Sequence, residues 1–244
     1  MRKRFLFGVG LSLVLLLALA RHVTLSEVLD SFGRASATGL VVVIVMHLLV
    51  LSLVLVFAAQ AKDGFTAFSK LSDFDTEGAW KMEADGSIGL YPREGEKGWS
   101  RYGSYLWLKK PYKDFIIDLE FKLPPKGNSG IYFRCKDKID PTARGIELQI
   151  LDSHNKKGKL GHHDGGGVIR TSGPSKNMNK PAGEWNRVIV NCKGTHLQVE
   201  MNGEKIQDLQ LDQSAVKDRP LEGWIGLQDH GQPLWFRNIK IKEQ

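Results

Sequence analysis

RVIVNCKGTHLQVEMNGEKIQDLQL, residues 187–211, decides the fold class of this 244-residue chain. RVIVNC and HLQVEM alternate apolar and polar side chains, as strands with one buried face do. Lys193-Gly194 stands between them, and Asn202-Gly203 separates HLQVEM from EKIQDLQL. Both central positions of a type I′ turn need positive φ, so Asn-Gly between alternating segments marks a hairpin. The stretch therefore reads as a three-stranded antiparallel meander.

The same pattern runs outward on both sides. FIIDLEFKL (115–123) alternates Ile117, Leu119, Phe121 and Leu123 with Asp118, Glu120 and Lys122, then stops at Pro124-Pro125. GIYFRC (130–135), IELQIL (146–151), WIGLQ (224–228) and LWFRNIKI (234–241) repeat the theme between Gly, Pro, Asn and Asp. No stretch beyond residue 62 sustains helical periodicity for more than about two turns. An all-β sandwich is the economical architecture.

A sandwich of two curved sheets leaves one sheet concave on its outer side. In GIELQILD (145–152), Ile146, Leu148 and Ile150 take one face, and Glu147 and Gln149 the other. In GIYFRC, Tyr132 and Arg134 share one face while Ile131, Phe133 and Cys135 share its opposite. Polar side chains on such a face are either solvated or gathered to bind something.

Composition changes abruptly near residue 60. Two apolar runs, 5–20 and 39–59, precede a domain expected over 62–244. The leader, 1–61, holds five Arg and Lys against Glu27 and Asp30, so it supplies +3 of the net +7 and leaves +4 on the domain. Such a weakly basic domain without a concentrated basic stripe gives no reason to expect nucleic acid. Ala59-Gln60-Ala61 suits signal cleavage before Lys62, which makes export the leading reading. Alternatives are an uncleaved membrane anchor, a two-span hairpin that returns the domain to the cytoplasm, and a start at Met46. Cys135 and Cys192 read as two half-buried small side chains, and export would permit a disulfide.

DFIIDLEFKLPPKGNSGIYFRC (114–135), GIELQILD, GPSKNMNKPAGEWNRVIVNCKG (173–194), the MNG turn (201–203) and GWIGLQDHGQPLWFRNIKI (223–241) together resemble the 3-keto-disaccharide hydrolase family. The resemblance covers nearly all of residues 65–243. It implies a concanavalin A-like jelly-roll β-sandwich whose concave face holds a sugar, and action on glycosides oxidised to a ketone at C3. It also implies an exported, periplasmic or membrane-anchored location at the bacterial cell envelope. In GGGVIR (165–170), Ile169 stands where many members carry an aromatic residue.

A C3 ketone acidifies the C2 proton. Its removal forms an enolate that expels the C1 substituent, and water then adds to the enone. That chemistry needs a base near C2, donors near the C3 oxygen and an acid near the leaving oxygen. It does not need the paired carboxylates of ordinary glycosidases. Glu147 is the candidate base or hydroxyl anchor. Arg134, charged at any working pH, is the candidate donor to the keto oxygen; its alternative is a surface ion pair. His230, in LQDHGQP, is the candidate acid/base partner, with Asp229 or Gln228 as its orienter or a sugar contact.

Gln149, Tyr132 and Asn128 are further candidate sugar contacts, as is Asp152, whose alternative is to cap a turn. Ser129 reads as rim or turn, and Trp185 and Trp235 as sugar platforms or core. His162, His163 and Asp164 are the only compact group of candidate metal ligands. Adjacent histidines on an extended chain point apart, so no metal site and no cofactor is expected. The partners expected are a 3-keto-sugar or other glycoside, an upstream sugar 3-dehydrogenase that makes the ketone, and a membrane if the leader is uncleaved. Two other functions fit the pattern: a non-catalytic carbohydrate-binding module, and an anchored envelope scaffold.

Overall fold

The computed structural model describes residues 64–244 and, before them, only positions 45, 48 and 52. The apolar runs, the cleavage site and Met46 lie outside the described residues. Among the described residues no helix is long and apolar enough to cross a membrane.

Thirteen strands follow Gly64. In chain order they are β1 (Thr66–Phe68), β2 (Phe74–Asp75), β3 (Trp80–Met82), β4 (Ile88–Leu90), β5 (Leu106–Leu108), β6 (Phe115–Lys122) and β7 (Asn128–Cys135). A four-residue helix, α1 (Pro141–Arg144), precedes β8 (Ile146–Leu151), and β9 (Trp185–Lys193), β10 (His196–Met201), β11 (Glu204–Gln210), β12 (Trp224–Leu227) and β13 (Leu234–Glu243) complete the chain. The larger sheet runs β11-β10-β9-β6-β13-β4-β3, with β1 added on β13; the smaller runs β2-β5-β12-β7-β8. Residues 64–244 thus form an all-β jelly-roll sandwich, as their alternation dictates.

The meander of residues 187–211 forms as read. Strands β9, β10 and β11 pair in order, and Asn202 and Gly203 both take positive φ, 52° and 87°. The inner faces of the two sheets share one core, which includes Phe115, Phe121, Phe133, Leu148, Val190 and Phe236. A second buried cluster, Tyr105, Trp107, Tyr132 and Cys135, lies on the other face of the smaller sheet. Its stacking requires Gly226, since a Cβ there would stand 2.6 Å from the Trp107 ring.

Strand β7 does not keep its alternation. Arg134 has φ 50°, and the pairing with β12 slips between Gly226↔Tyr132 and Trp224↔Cys135. One extra residue in one strand reverses the parity of everything after it. Cys135 therefore joins Tyr132, and Arg134 leaves that face. Its side chain is buried, with Nη2 donating to the Lys113 carbonyl at 3.3 Å and 3.5 Å from Asp114 Oδ1. Cys135 and Cys192 are both buried and unbridged.

Candidate active site

The outer face of the smaller sheet carries a hollow of about 380 Å³. Strand β7 contributes Asn128 and Tyr132, β8 contributes Glu147 and Gln149, and the turn after β12 contributes Gln228 and His230. Surrounding segments add Trp99, Thr142, His163, Ile169 and Arg170. Glu147 is the single carboxylate among these lining residues.

Glu147 is placed by its cross-strand partner. Tyr132 and Glu147 are directly paired, and the Tyr132 hydroxyl donates to Glu147 Oε2 at 2.7 Å. Gly130 leaves room for the other oxygen, because a Cβ at that position would lie 2.5 Å from Glu147 Oε1. Burial pushes the Glu147 carboxyl up to about 7, against the opposing pull of the Tyr132 hydrogen bond and the Arg170 charge. Gly130→Ala should displace this carboxylate and cost on the order of 10²-fold in turnover. Intact folding by circular dichroism together with unchanged turnover would refute this role for Gly130.

The hydrogen bonds around Glu147 orient a second group. Tyr132 donates to Glu147, and the Tyr105 hydroxyl donates to the Trp99 carbonyl at 2.7 Å. With their protons committed, both hydroxyls can only accept from Gln228, whose Nε2 lies 3.1 Å from Tyr105 and 3.3 Å from Tyr132. Gln228 Oε1 is left buried without a partner among the described residues. Gln149 is similar: Nε2 donates to the His163 carbonyl at 3.4 Å, and Oε1 has no partner. Asn128 sets its amide nitrogen 3.2 Å from His230 Nε2, and its Oδ1 is likewise unpaired. Buried polar atoms rarely stay unpaired, so these three acceptors are suited to hydroxyl donors of a ligand.

His230 is half-buried, and that burial holds its pKa below the usual histidine value. The fixed cation of the hollow is Arg170, whose guanidinium makes no hydrogen bond or ion pair with the described residues. The Arg170 backbone has φ 64°, and its N–H donates to His162 Nδ1 at 3.1 Å. Residues 162 and 163 lie in a turn rather than an extended segment, so their rings pack together with centroids 4.1 Å apart.

Several residues singled out from the sequence do not line the hollow. Arg134 is outside the hollow, for the bulge described above. Asp152 caps a turn, its Oδ2 accepting the N–H of Lys126 at 2.9 Å. Asp229 is fully buried, which removes it as a sugar contact and leaves its other reading, as orienter of the His230 turn; its Oδ1 accepts from Arg101 Nη2 at 2.6 Å and from the Gly231 N–H at 2.7 Å. Trp185 and Trp235 belong to neither core nor hollow. They flank Lys122 on the outside of the larger sheet, with its Nζ 4.9 and 4.7 Å from their ring centres. Ser129 points inward from the hollow and donates to the Gln228 carbonyl at 2.8 Å.

The two-sheet jelly-roll agrees with the comparisons to known proteins. The family model described as 3-keto-alpha-glucoside-1,2-lyase-like domain matches residues 62–242. The chain belongs to this family. A 3-keto-disaccharide hydrolase of Bacteroides thetaiotaomicron is 29% identical over 203 residues, covering 67% of this chain and 69% of that protein. Two crystal structures of Parabacteroides distasonis proteins, provisionally assigned as glycosyl hydrolases, share the architecture. One has a TM-score of 0.63 at 28% identity over 74% of this chain and 99% of its own. The other has a TM-score of 0.59 at 26% identity, over 75% and 89%.

Trp99, Thr142 and Arg170 are lining residues that sequence reasoning does not single out, and it reads His163 only as a candidate metal ligand. Trp99 is 44% exposed, and it sits in a loop between Gly98 and Gly103, where an aromatic residue has no core to serve. It supplies an aromatic surface to the hollow, whose lining also includes Ile169. Arg170 ends the GGGVIR segment, and nothing in its local pattern distinguishes it from a solvated arginine.

Proposed function

We propose that this chain hydrolyses 3-keto-glycosides in the hollow by elimination and hydration. Glu147 takes the C2 proton. The electron pair moves to the C3 oxygen, where the Arg170 guanidinium faces the developing charge, and returns to expel the C1 substituent. His230, as the imidazolium, passes a proton to the departing oxygen, and it regains one from the water that adds. Water then adds at C1 of the enone, and a proton returns to C2. Gln149, Gln228 and Asn128 accept hydrogen bonds from ring hydroxyls, and Trp99 stacks on the sugar face.

The observation that carries this reading is Glu147, the single carboxylate lining the hollow, partly buried and pushed up to about 7, with the Arg170 guanidinium among the same lining residues. A base of that strength suits abstraction of an acidified C–H proton, whereas ordinary glycosidases need a second carboxylate. Because Glu147 acts ionised and His230 protonated, kcat/KM should be bell-shaped in pH, falling on both sides of a maximum just below about 7. The ketone must come from an oxidation at C3 that precedes this step. The leader sequence supports an envelope location, which N-terminal sequencing of the mature protein tests.

Turnover of a 3-keto-disaccharide in deuterium oxide tests the mechanism. The expected product is 3-ketoglucose with deuterium at C2, detected by mass spectrometry. Cleavage without C2 label means direct hydrolysis. Tight binding without cleavage means a carbohydrate-binding module.

A further inference from the structure

We propose that Arg101 is a positioning residue: through Asp229 it fixes the wall that carries Trp99 against the turn that carries His230. The inference rests on the reading of His230 given above, and it concerns residues that do not touch the sugar.

Trp99 and His230 are far apart in the chain, yet both line the hollow. Arg101 follows the first by two residues, and Asp229 precedes the second by one. Their ion pair, Nη2 to Oδ1 at 2.6 Å, joins the two segments. Arg101 is itself oriented by its own segment, Nη1 lying 3.3 Å from both Glu96 Oε1 and Ser104 Oγ. The same Asp229 oxygen accepts the Gly231 N–H, which closes the turn around His230. Gly231, at φ 76°, packs so closely that a Cβ would lie 2.7 Å from Lys97 Cα. The Trp99 carbonyl is held separately by Tyr105. Thus the loop and the turn meet at a backbone contact and one ion pair.

Exposed ion pairs contribute little, but this pair is different because the Asp229 side chain is 0% exposed. Removing Arg101 leaves a buried carboxylate without its cation. Asp229 then either takes up a proton or moves toward water, and in both cases the support beneath His230 changes. The charged and titratable groups around His230 are Asp229, Arg101 and Glu96 behind it, and Glu147, Arg170, His163 and Tyr132 across the hollow. An ionised Asp229 favours the imidazolium, so its loss lowers the His230 pKa. Arg101→Gln moves the His230 pKa as well: down if Asp229 takes up a proton, and up if Asp229 stays ionised without its cation.

The test uses residues 62–244, which carry their own core and match nearly the full length of a solved relative. Wild type, Arg101→Lys, Arg101→Gln, Asp229→Asn and the double variant Arg101→Gln/Asp229→Asn are compared by NMR titration of the His230 ring, steady-state kinetics and thermal melting. Arg101→Gln should lower kcat/KM on the order of 10²-fold, with a raised KM, since small displacements of reacting groups are costly. Arg101→Lys should recover most of this loss. The double variant should be no worse than Asp229→Asn alone, the signature of two residues acting as one unit. A His230 pKa common to all five proteins, or additive losses in the double variant, would overturn the proposal. If the wild type cleaves no 3-keto-glycoside, the functional reading fails, while the His230 titrations still decide whether Arg101 acts through Asp229.

Discussion

Glu147→Gln should lower kcat/KM about 10³-fold and, at pH 8, make the folded protein more stable. The two effects share one cause. A carboxyl that titrates near 4.5 when exposed is held at about 7 in the folded hollow. A folded pKa above the unfolded one means that the folded state prefers the protonated form. Below about pH 4.5 both states are protonated and Glu147 costs nothing. As pH rises through 7 the folded state must ionise a partly buried, desolvated group, and the cost reaches roughly 3 kcal/mol at most. Glutamine keeps the shape and can still accept the Tyr132 hydrogen bond, but never ionises. Its melting temperature should therefore exceed that of wild type by several degrees at pH 8, at about 2–4 °C per kcal/mol for a domain of this size. At pH 4 the two should melt together. An equal difference at both pH values would show that Glu147 is not strained by ionisation.

The same variant decides who removes the C2 proton. With Glu147 as base, Glu147→Gln loses deuterium exchange at C2 along with turnover. Exchange that survives in Glu147→Gln and disappears in His230→Ala would reverse the two roles. The hollow would then still be catalytic, with neutral His230 as base and protonated Glu147 as acid.

Arg170→Gln and Arg134→Gln should fail in opposite ways. Arg170 is exposed and has no partner among the described residues, so its removal should leave the melting temperature within about 2 °C. Turnover should fall on the order of 10²-fold or more, because a cation facing developing negative charge is lost. Arg134 is 1% exposed and lies beside Asp114 and the Lys113 carbonyl. Breaking a buried pair from one side costs about 3 kcal/mol, and Arg134→Gln should melt well below wild type. Its specific activity per folded molecule should be retained. Activity lost in Arg134→Gln but kept in Arg170→Gln would restore the role that strand alternation alone assigns to Arg134.

That contrast shows what alternation can tell. Glu147 and Gln149 share a face because β8 runs without interruption from Ile146 to Leu151, and period two holds wherever the ladder is regular. Tyr132 obeys the same rule. Arg134, two residues further on, does not, because one residue in the left-handed region adds a bulge to β7. No residue type signals it: arginine is not favoured at positive φ as glycine or asparagine is. His230 was legible as a residue of a Gly-containing turn after a strand. Asp229 beside it has the same local signal and the opposite fate, since only the packed structure brings Arg101 against it.

By itself, the amino-acid sequence determined the all-β class, the meander at residues 187–211, the sharing of one outer face by Glu147 and Gln149, and the family through its motifs in order. These follow from periodicity and turn chemistry, which act between near neighbours. Tertiary structure alone decided that Arg170 rather than Arg134 is the cation of the hollow, that Trp99 rather than Trp185 or Trp235 is its aromatic wall, and that Asp229 faces Arg101. Those placements depend on a one-residue register slip and on loops that meet from distant parts of the chain. Their positions are set by packing and charge pairing across the fold, for which local sequence carries no signal.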